Sequence, residues 1–287
     1  MRKQNFATVE VSSGETLFYR EIVGGDENIL LLHGNMSSSK HWEPIFNLFP
    51  EEYSLYAVDL RGMGKSTYYN RFDTLQELAE DIKVFIDRKN LNNLTVVGWS
   101  TGGGVAMELA ANYPDLVKNL ILLDSVSYLG YPIWKKDEQG NPLIGEAYSS
   151  KEEMAKDPVQ VAPMVMAIEN HNRELMKTVW DMSIYVHKKP SEEAYNEFLD
   201  ATFEQRNLVD IDWALATFDI SNKINDITAS VLALWGDSDL VVTRDMVEET
   251  VKAIGSRGQL EVLPQCGHSP LVDCPELLVE KILAFIG

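Results

Sequence analysis

The chain has 287 residues, 45% of them apolar, and a formal net charge of −19. That length can bury one large core, so a single domain with room for an insertion is expected. The acidic balance gives nucleic acid no electrostatic footprint, and Asp, Glu, Lys or Asn breaks every apolar run before the eighteen or so residues that a membrane span needs.

The opening MRKQNFATVEV has no apolar signal core and no small-residue cleavage site, so a soluble, cytoplasmic protein is expected. Thr8 to Val11 and Thr16 to Ile22 carry the β-branched and aromatic residues of edge strands and predict an opening hairpin. Four nearly continuous apolar runs follow, Ile29 to Leu32, Leu55 to Val58, Leu94 to Val97 and Leu120 to Leu123, which suit strands buried on both faces. Between them, Leu75 to Ile86 and Val105 to Tyr113 show helical apolar spacing, and the alternation predicts a doubly wound α/β sheet. From 126 to 225 the strand signal gives way to helix-like segments, some opening with Ser caps, as at Ser150-x-x-Glu153 and Ser191. This stretch reads as a helical cap inserted into a core made of residues 1–125 and 226–287. The alternation resumes with Val231 to Trp235, a helix at Arg244 to Ile254, a strand at Leu260 to Leu263 and a last helix from Pro275 to Ile286.

The strand ending at Val97 runs into Gly98-Trp99-Ser100-Thr101-Gly102, with Gly103 and Gly104 opening a helix. This G-x-S-x-G arrangement makes a tight strand-to-helix turn that exposes the serine hydroxyl beside a helix N-terminus. A serine needs a base, and five histidines are available: His33, His41, His171, His187 and His268. Orienting that base needs a carboxylate, for which strand ends offer Asp124, Asp237 and Asp239. Cys266 and Cys274 would close too short a loop to constrain the unfolded chain and are expected as reduced thiols; with His268 they lack a fourth zinc ligand. Gly64-Lys65-Ser66 resembles the end of a phosphate-binding loop, but Asp59 occupies the position of its first glycine, so no nucleotide cofactor is expected.

Taken together, HGNMSSS, DLRGMGKS, GWSTGGG, LWGDSDLVV and CGHSP resemble the α/β-hydrolase superfamily over nearly the whole chain outside the cap. Within it the chain is similar to 3-oxoadipate enol-lactonase-like hydrolases. It is more similar still to intracellular polyhydroxybutyrate depolymerases of bacilli, on HGNMSSSKHW, GWSTG and GYPIWKKDEQGNPL. The resemblance implies the α/β-hydrolase fold, a mostly parallel twisted sheet flanked by helices, and the chain order nucleophile, acid, histidine. That order assigns Ser100 and His268, and the G-x-x-D pattern of the superfamily, here Gly236 to Asp239, implies Asp239 as the acid, with Asp237 a turn former and Asp124 a competitor because some relatives place the acid after that strand. It also implies an oxyanion hole from the backbone amides of Asn35 and Thr101, with no cofactor or metal. Aspartate replaces the serine in haloalkane dehalogenases and epoxide hydrolases, so Ser100 argues against both.

The implied substrate is a small-molecule or polyester ester, first a hydroxyalkanoate ester. The alternatives are a small-molecule esterase or lactonase, and a non-catalytic ligand receptor on the same scaffold. A lactonase holding a substrate carboxylate would want a buried arginine, for which the cap offers Arg173 and Arg206. Trp134, Met164, Met166, Met176, Trp180, Met182 and Trp213 are candidates for an adaptable apolar wall around an acyl chain, or for simple helix packing.

Overall fold

The computed structural model describes residues 2–287. An opening antiparallel hairpin, β1 (Asn5–Glu10) and β2 (Thr16–Ile22), leads into β3 (Glu27–Leu32), β4 (Tyr53–Val58), β5 (Leu94–Trp99) and β6 (Val117–Leu123). A separate two-stranded sheet, β7 (Trp134–Lys136) and β8 (Pro142–Ala147), comes next, before β9 (Ser230–Gly236) and β10 (Gly258–Leu263) return to the main sheet. The main sheet has eight strands in the order β1-β2-β4-β3-β5-β6-β9-β10, parallel from β4 to β10. The expected doubly wound α/β sheet is therefore present, with β1 beginning at Asn5 rather than Thr8.

Helices cover both faces of the sheet. They are α1 (Glu43–Phe46), α2 (Leu75–Lys89), α3 (Thr101–Asn112), α4 (Lys151–Met154), α5 (Ala162–Glu169), α6 (Arg173–Ser183), α7 (Glu192–Phe203), α8 (Leu208–Ala216), α9 (Arg244–Ile254), α10 (Pro270–Asp273) and α11 (Pro275–Ile286). Alternate residues of each central strand point to opposite faces. Leu30, Leu32, Val96 and Leu120 pack with α2, α3 and α9, while Ile29, Leu31, Val97 and Ile121 pack with α1, α10 and α11. Each such side chain contributes about 1.5–3 kcal/mol when fully buried, which explains why these strands read as unbroken apolar runs. Helix α2 starts where Thr74 and Glu77 form a reciprocal capping box and stops at Asn90, whose left-handed backbone ends the helix.

The segment between β6 and β9 contains α4 to α8, and Ser150 and Ser191 cap α4 and α7 through their side chains as the sequence predicts. It is not wholly helical, however. The β7–β8 hairpin turns on Asp137, whose carboxylate accepts from Gln139 N and Asn141 N at 2.9 and 2.8 Å. Strand β8 is mostly exposed and lacks alternating burial, so no hydrophobic period announces it.

Candidate active site

Strand β5 delivers Ser100 at its carboxyl end with φ 54° and ψ −120°, a backbone conformation that non-glycine residues rarely adopt. The strain is held by neighbours: Ser100 N donates to Leu123 O and Gly103 N donates to Ser100 O, both at 2.9 Å. Two glycines make the turn possible, because a Cβ on Gly98 would collide with the Gly102 carbonyl and one on Gly102 with the Leu32 carbonyl. Helix α3 consequently begins at Thr101, two residues before the opening at Gly103 that the sequence suggests. Gly103 and Gly104 sit in its first turn, where a Cβ would run into the Ser125 and Leu75 side chains.

His268 lies between β10 and α10, its side chain almost wholly buried, and its Nδ1–H donates to Asp239 Oδ2 at 2.8 Å. That bond fixes the tautomer and leaves Nε2 as the acceptor. Asp239 is itself held, since its Oδ1 accepts from Val241 N at 2.7 Å and Val242 N at 3.0 Å. Asp124 also sits here: its Oδ1 accepts from Gly236 N at 2.8 Å, while Oδ2 has no hydrogen-bond partner. Burial, with the Asp239 charge behind it, pushes the Asp124 carboxyl well above the usual carboxylate range. Asp124 therefore favours its neutral form more than an ordinary carboxyl does, and it makes no hydrogen bond to His268.

Several residues that motif reading passes over steer the histidine loop. Trp99 Nε1 donates to the His268 carbonyl at 2.7 Å, tying that loop to the residue before Ser100. Asp237, one of the three candidate acids, does not reach His268 but accepts from Gln265 N and Cys266 N, and Asp273 accepts from Gly267 N at 2.7 Å. The thiols of Cys266 and Cys274 are free. His33 braces the loop after β3: Nε2 accepts from Leu60 N at 3.0 Å and Nδ1 lies 2.8 Å from Gly34 O. His41 is buried and stacks on Phe198, while His171 and His187 are exposed.

Ser100, Thr101, Asn35 and His268 line one cavity of about 160 Å³. Thr101 is the first residue of α3, so its amide has no intrahelical acceptor and is open to a ligand. The Asn35 side chain is engaged elsewhere, with Oδ1 accepting from Met36 N and Gln205 Nε2 and Nδ2 donating to Asp212 Oδ1 at 3.1 Å. It thereby joins the loop after β3 to the inserted segment.

Of the apolar candidates, Met164 and Trp180 line this cavity. Met176 is buried among the inserted helices, Met166 and Met182 are exposed, and Trp134 and Trp213 line a separate cleft. No arginine or lysine lines the cavity among the described residues. Arg173 pairs with Asp200, and Arg206 donates to the carbonyls of Gly64 and Ser66.

Comparison with known proteins gives consistent neighbours. A family model described as alpha/beta hydrolase fold matches residues 27–275. The chain is 26% identical over 265 residues to a pimeloyl-[acyl-carrier protein] methyl ester esterase from Nitrosomonas europaea, covering 90% of this chain and 95% of that protein. It is 24% identical to a monoacylglycerol lipase from Mus musculus, over 94% of this chain and 78% of the other. Among solved structures, an esterase from Exiguobacterium antarcticum superposes with a TM-score of 0.77 at 22% identity, covering 98% of both chains. No helix among the described residues is long and apolar enough to cross a membrane.

Proposed function

The chain belongs to the alpha/beta hydrolase fold family, and on that premise we propose that it is a carboxylic ester hydrolase acting on short hydroxyalkanoate esters through an acyl-enzyme. The reading rests on one observation above all: His268, oriented by Asp239 at 2.8 Å, shares a cavity with a serine held at a strained strand-to-helix turn. In this reading residues 1–125 and 226–287 are the hydrolase core, and 126–225 form a cap over the cavity.

Chemistry follows from the parts. Ser100 Oγ attacks the ester carbonyl as His268 Nε2 takes its proton, and Asp239 stabilises the imidazolium that forms. The oxyanion is received by the amides of Thr101 and Asn35, preorganised donors of which each is worth about 3–4 kcal/mol in comparable sites. His268 then returns the proton to the leaving alcohol and activates the water that frees the acid. The Nitrosomonas relative is named for a methyl ester, a neutral group, and a neutral ester suits a cavity without a lining cation. A substrate carboxylate would find no partner there, which counts against an enol-lactone carrying one.

The test compares wild type with Ser100→Ala on nitrophenyl butyrate and on amorphous polyhydroxybutyrate granules. Nitrophenyl butyrate turnover should fall by about 10⁴-fold or more in the variant. Undiminished turnover would overturn the proposal. Release of 3-hydroxybutyrate from granules by the wild type would identify a depolymerase. Turnover of the small ester alone would identify an enzyme of soluble esters.

A further inference from the structure

Helix α8 brings an acid into the cavity that the acyl-transfer mechanism does not use. We propose that Asp212 is a specificity-determining residue whose carboxyl takes a hydrogen bond from a free hydroxyl on the substrate, so that the preferred substrates are esters of hydroxy acids. This rests on the ester-hydrolase reading above and deepens it.

Asp212 is 7% exposed and lines the cavity together with Ser100, His268 and Asn35. One of its oxygens, Oδ1, accepts from Asn35 Nδ2 at 3.1 Å. The other, Oδ2, has no protein partner among the described residues and yet is not one of the sealed, unpartnered polar atoms, so it keeps access to open space. The space available to it is the reaction cavity. A buried carboxyl with half its hydrogen-bonding capacity unused is costly unless something fills it.

The surroundings narrow what can do so. No lysine or arginine lines the cavity among the described residues, and the charge that acts on Asp212 is that of another acid, Asp157. The remaining donor therefore comes from outside the protein, and a substrate hydroxyl can take the place of the water that would otherwise supply it. Burial, opposed by the Asn35 hydrogen bond and aided by the Asp157 charge, raises the Asp212 carboxyl to about 7. It is thus present in both protonation states near neutrality. A hydroxyl can donate to the ionised form and accept from the neutral one, whereas an ammonium can pair only with the ionised form. A substrate carboxylate would be repelled by one form and left without a cation by either. Asn35 couples this subsite to the reacting carbonyl, because the residue that contacts Asp212 through its side chain is the one whose amide is assigned to the oxyanion.

The experiment measures kcat/KM for ethyl 3-hydroxybutyrate and ethyl butyrate, which differ by one hydroxyl, with ethyl 4-aminobutyrate as an ammonium probe. Wild type, Asp212→Leu, Asp212→Ala and Asp212→Asn are compared, and a melting curve for each verifies folding. The wild type should favour the hydroxy ester over ethyl butyrate by about 10-fold or more. Leu and Ala should bring that ratio close to one, and Asn, which still hydrogen-bonds a hydroxyl, should restore most of it. A ratio equal in wild type and in whichever of the Leu and Ala variants folds would overturn the proposal, even if both rates fell together, since Asp212 would then be only a tether for Asn35. Preference for the amino ester would overturn it as well. Turnover of ethyl butyrate with no hydroxyl preference would remove this inference and leave the ester-hydrolase reading standing. Failure of the wild type on every ester would remove both.

Discussion

Asp212 carries a second consequence, in stability rather than specificity. Folding moves its carboxyl from an ordinary value near 4 to about 7, chiefly by burial. The native state therefore holds this proton more tightly than the unfolded chain does. The associated stability is fully present below about pH 4 and is lost as the pH rises through about 7. Asn in its place is nearly isosteric, can still accept from Asn35 Nδ2 through its amide oxygen, and has no proton to lose. Linkage between values near 4 and about 7 makes the wild type lose about 2–3 kcal/mol relative to Asp212→Asn between pH 5 and pH 8. Titrating groups that do not interact with Asp212 are common to the two proteins and cancel in the difference, and Asp157, which does, enters only through its coupling to Asp212. Urea unfolding of both at pH 5, 6, 7 and 8 measures it. A difference constant to within about 0.5 kcal/mol over that range would refute the argument, because it would mean that Asp212 titrates alike in the folded and unfolded chains.

Other perturbations probe the frame around the site. Asp239→Asn should lower kcat on nitrophenyl butyrate by about 10⁴-fold with the fold intact, by analogy with the same change in a serine protease triad; activity within 10-fold of wild type would hand the role to Asp124. Gly102→Ala drives a Cβ into the Leu32 carbonyl and should cost at least about 1–3 kcal/mol, read as a lowered urea midpoint. Lys151 donates to Phe72 O and Asp210 Oδ1, linking the inserted segment to the loop before α2. Because Arg71 and Tyr68 still hold Asp210, Lys151→Met should cost about 1.5–3 kcal/mol in the same measurement.

What sequence could and could not foretell has a physical division. The central strands were legible because burial on both faces demands apolar residues at every position, as in Ile29 to Leu32. The serine turn was legible because only glycine fits where Gly98 and Gly102 approach other backbone. Chain order does not separate Asp239 from Asp124, since both lie between Ser100 and His268, and only the G-x-x-D position in the resembled superfamily favoured Asp239; in space the two are neighbours, and the His268 bond distinguishes them. The exposed β7–β8 hairpin left no hydrophobic period to read. Met166 and Met182 could not be told from Met164 by residue type alone, since the helices between β6 and β9 put Met on solvent and cavity faces alike.

Asp212 shows why a cavity's polar groups resist sequence reading. Its partner Asn35 lies 177 residues away, so no local spacing links them. Within Leu208–Ala216 it stands two positions after Asp210, and two residues advance a helix by roughly 200°. The acids therefore leave opposite sides of α8: Asp210 toward Arg71, Tyr68 and Lys151, and Asp212 toward Asn35 and the cavity. Asp210 has its charge answered within the protein by Arg71 and Lys151, whereas Asp212 has one amide and open space. In an otherwise apolar helix both acids demand an explanation, and sequence alone offers the same one for each. Only the fold separates an acid that clamps the inserted segment to the core from one left to meet the substrate.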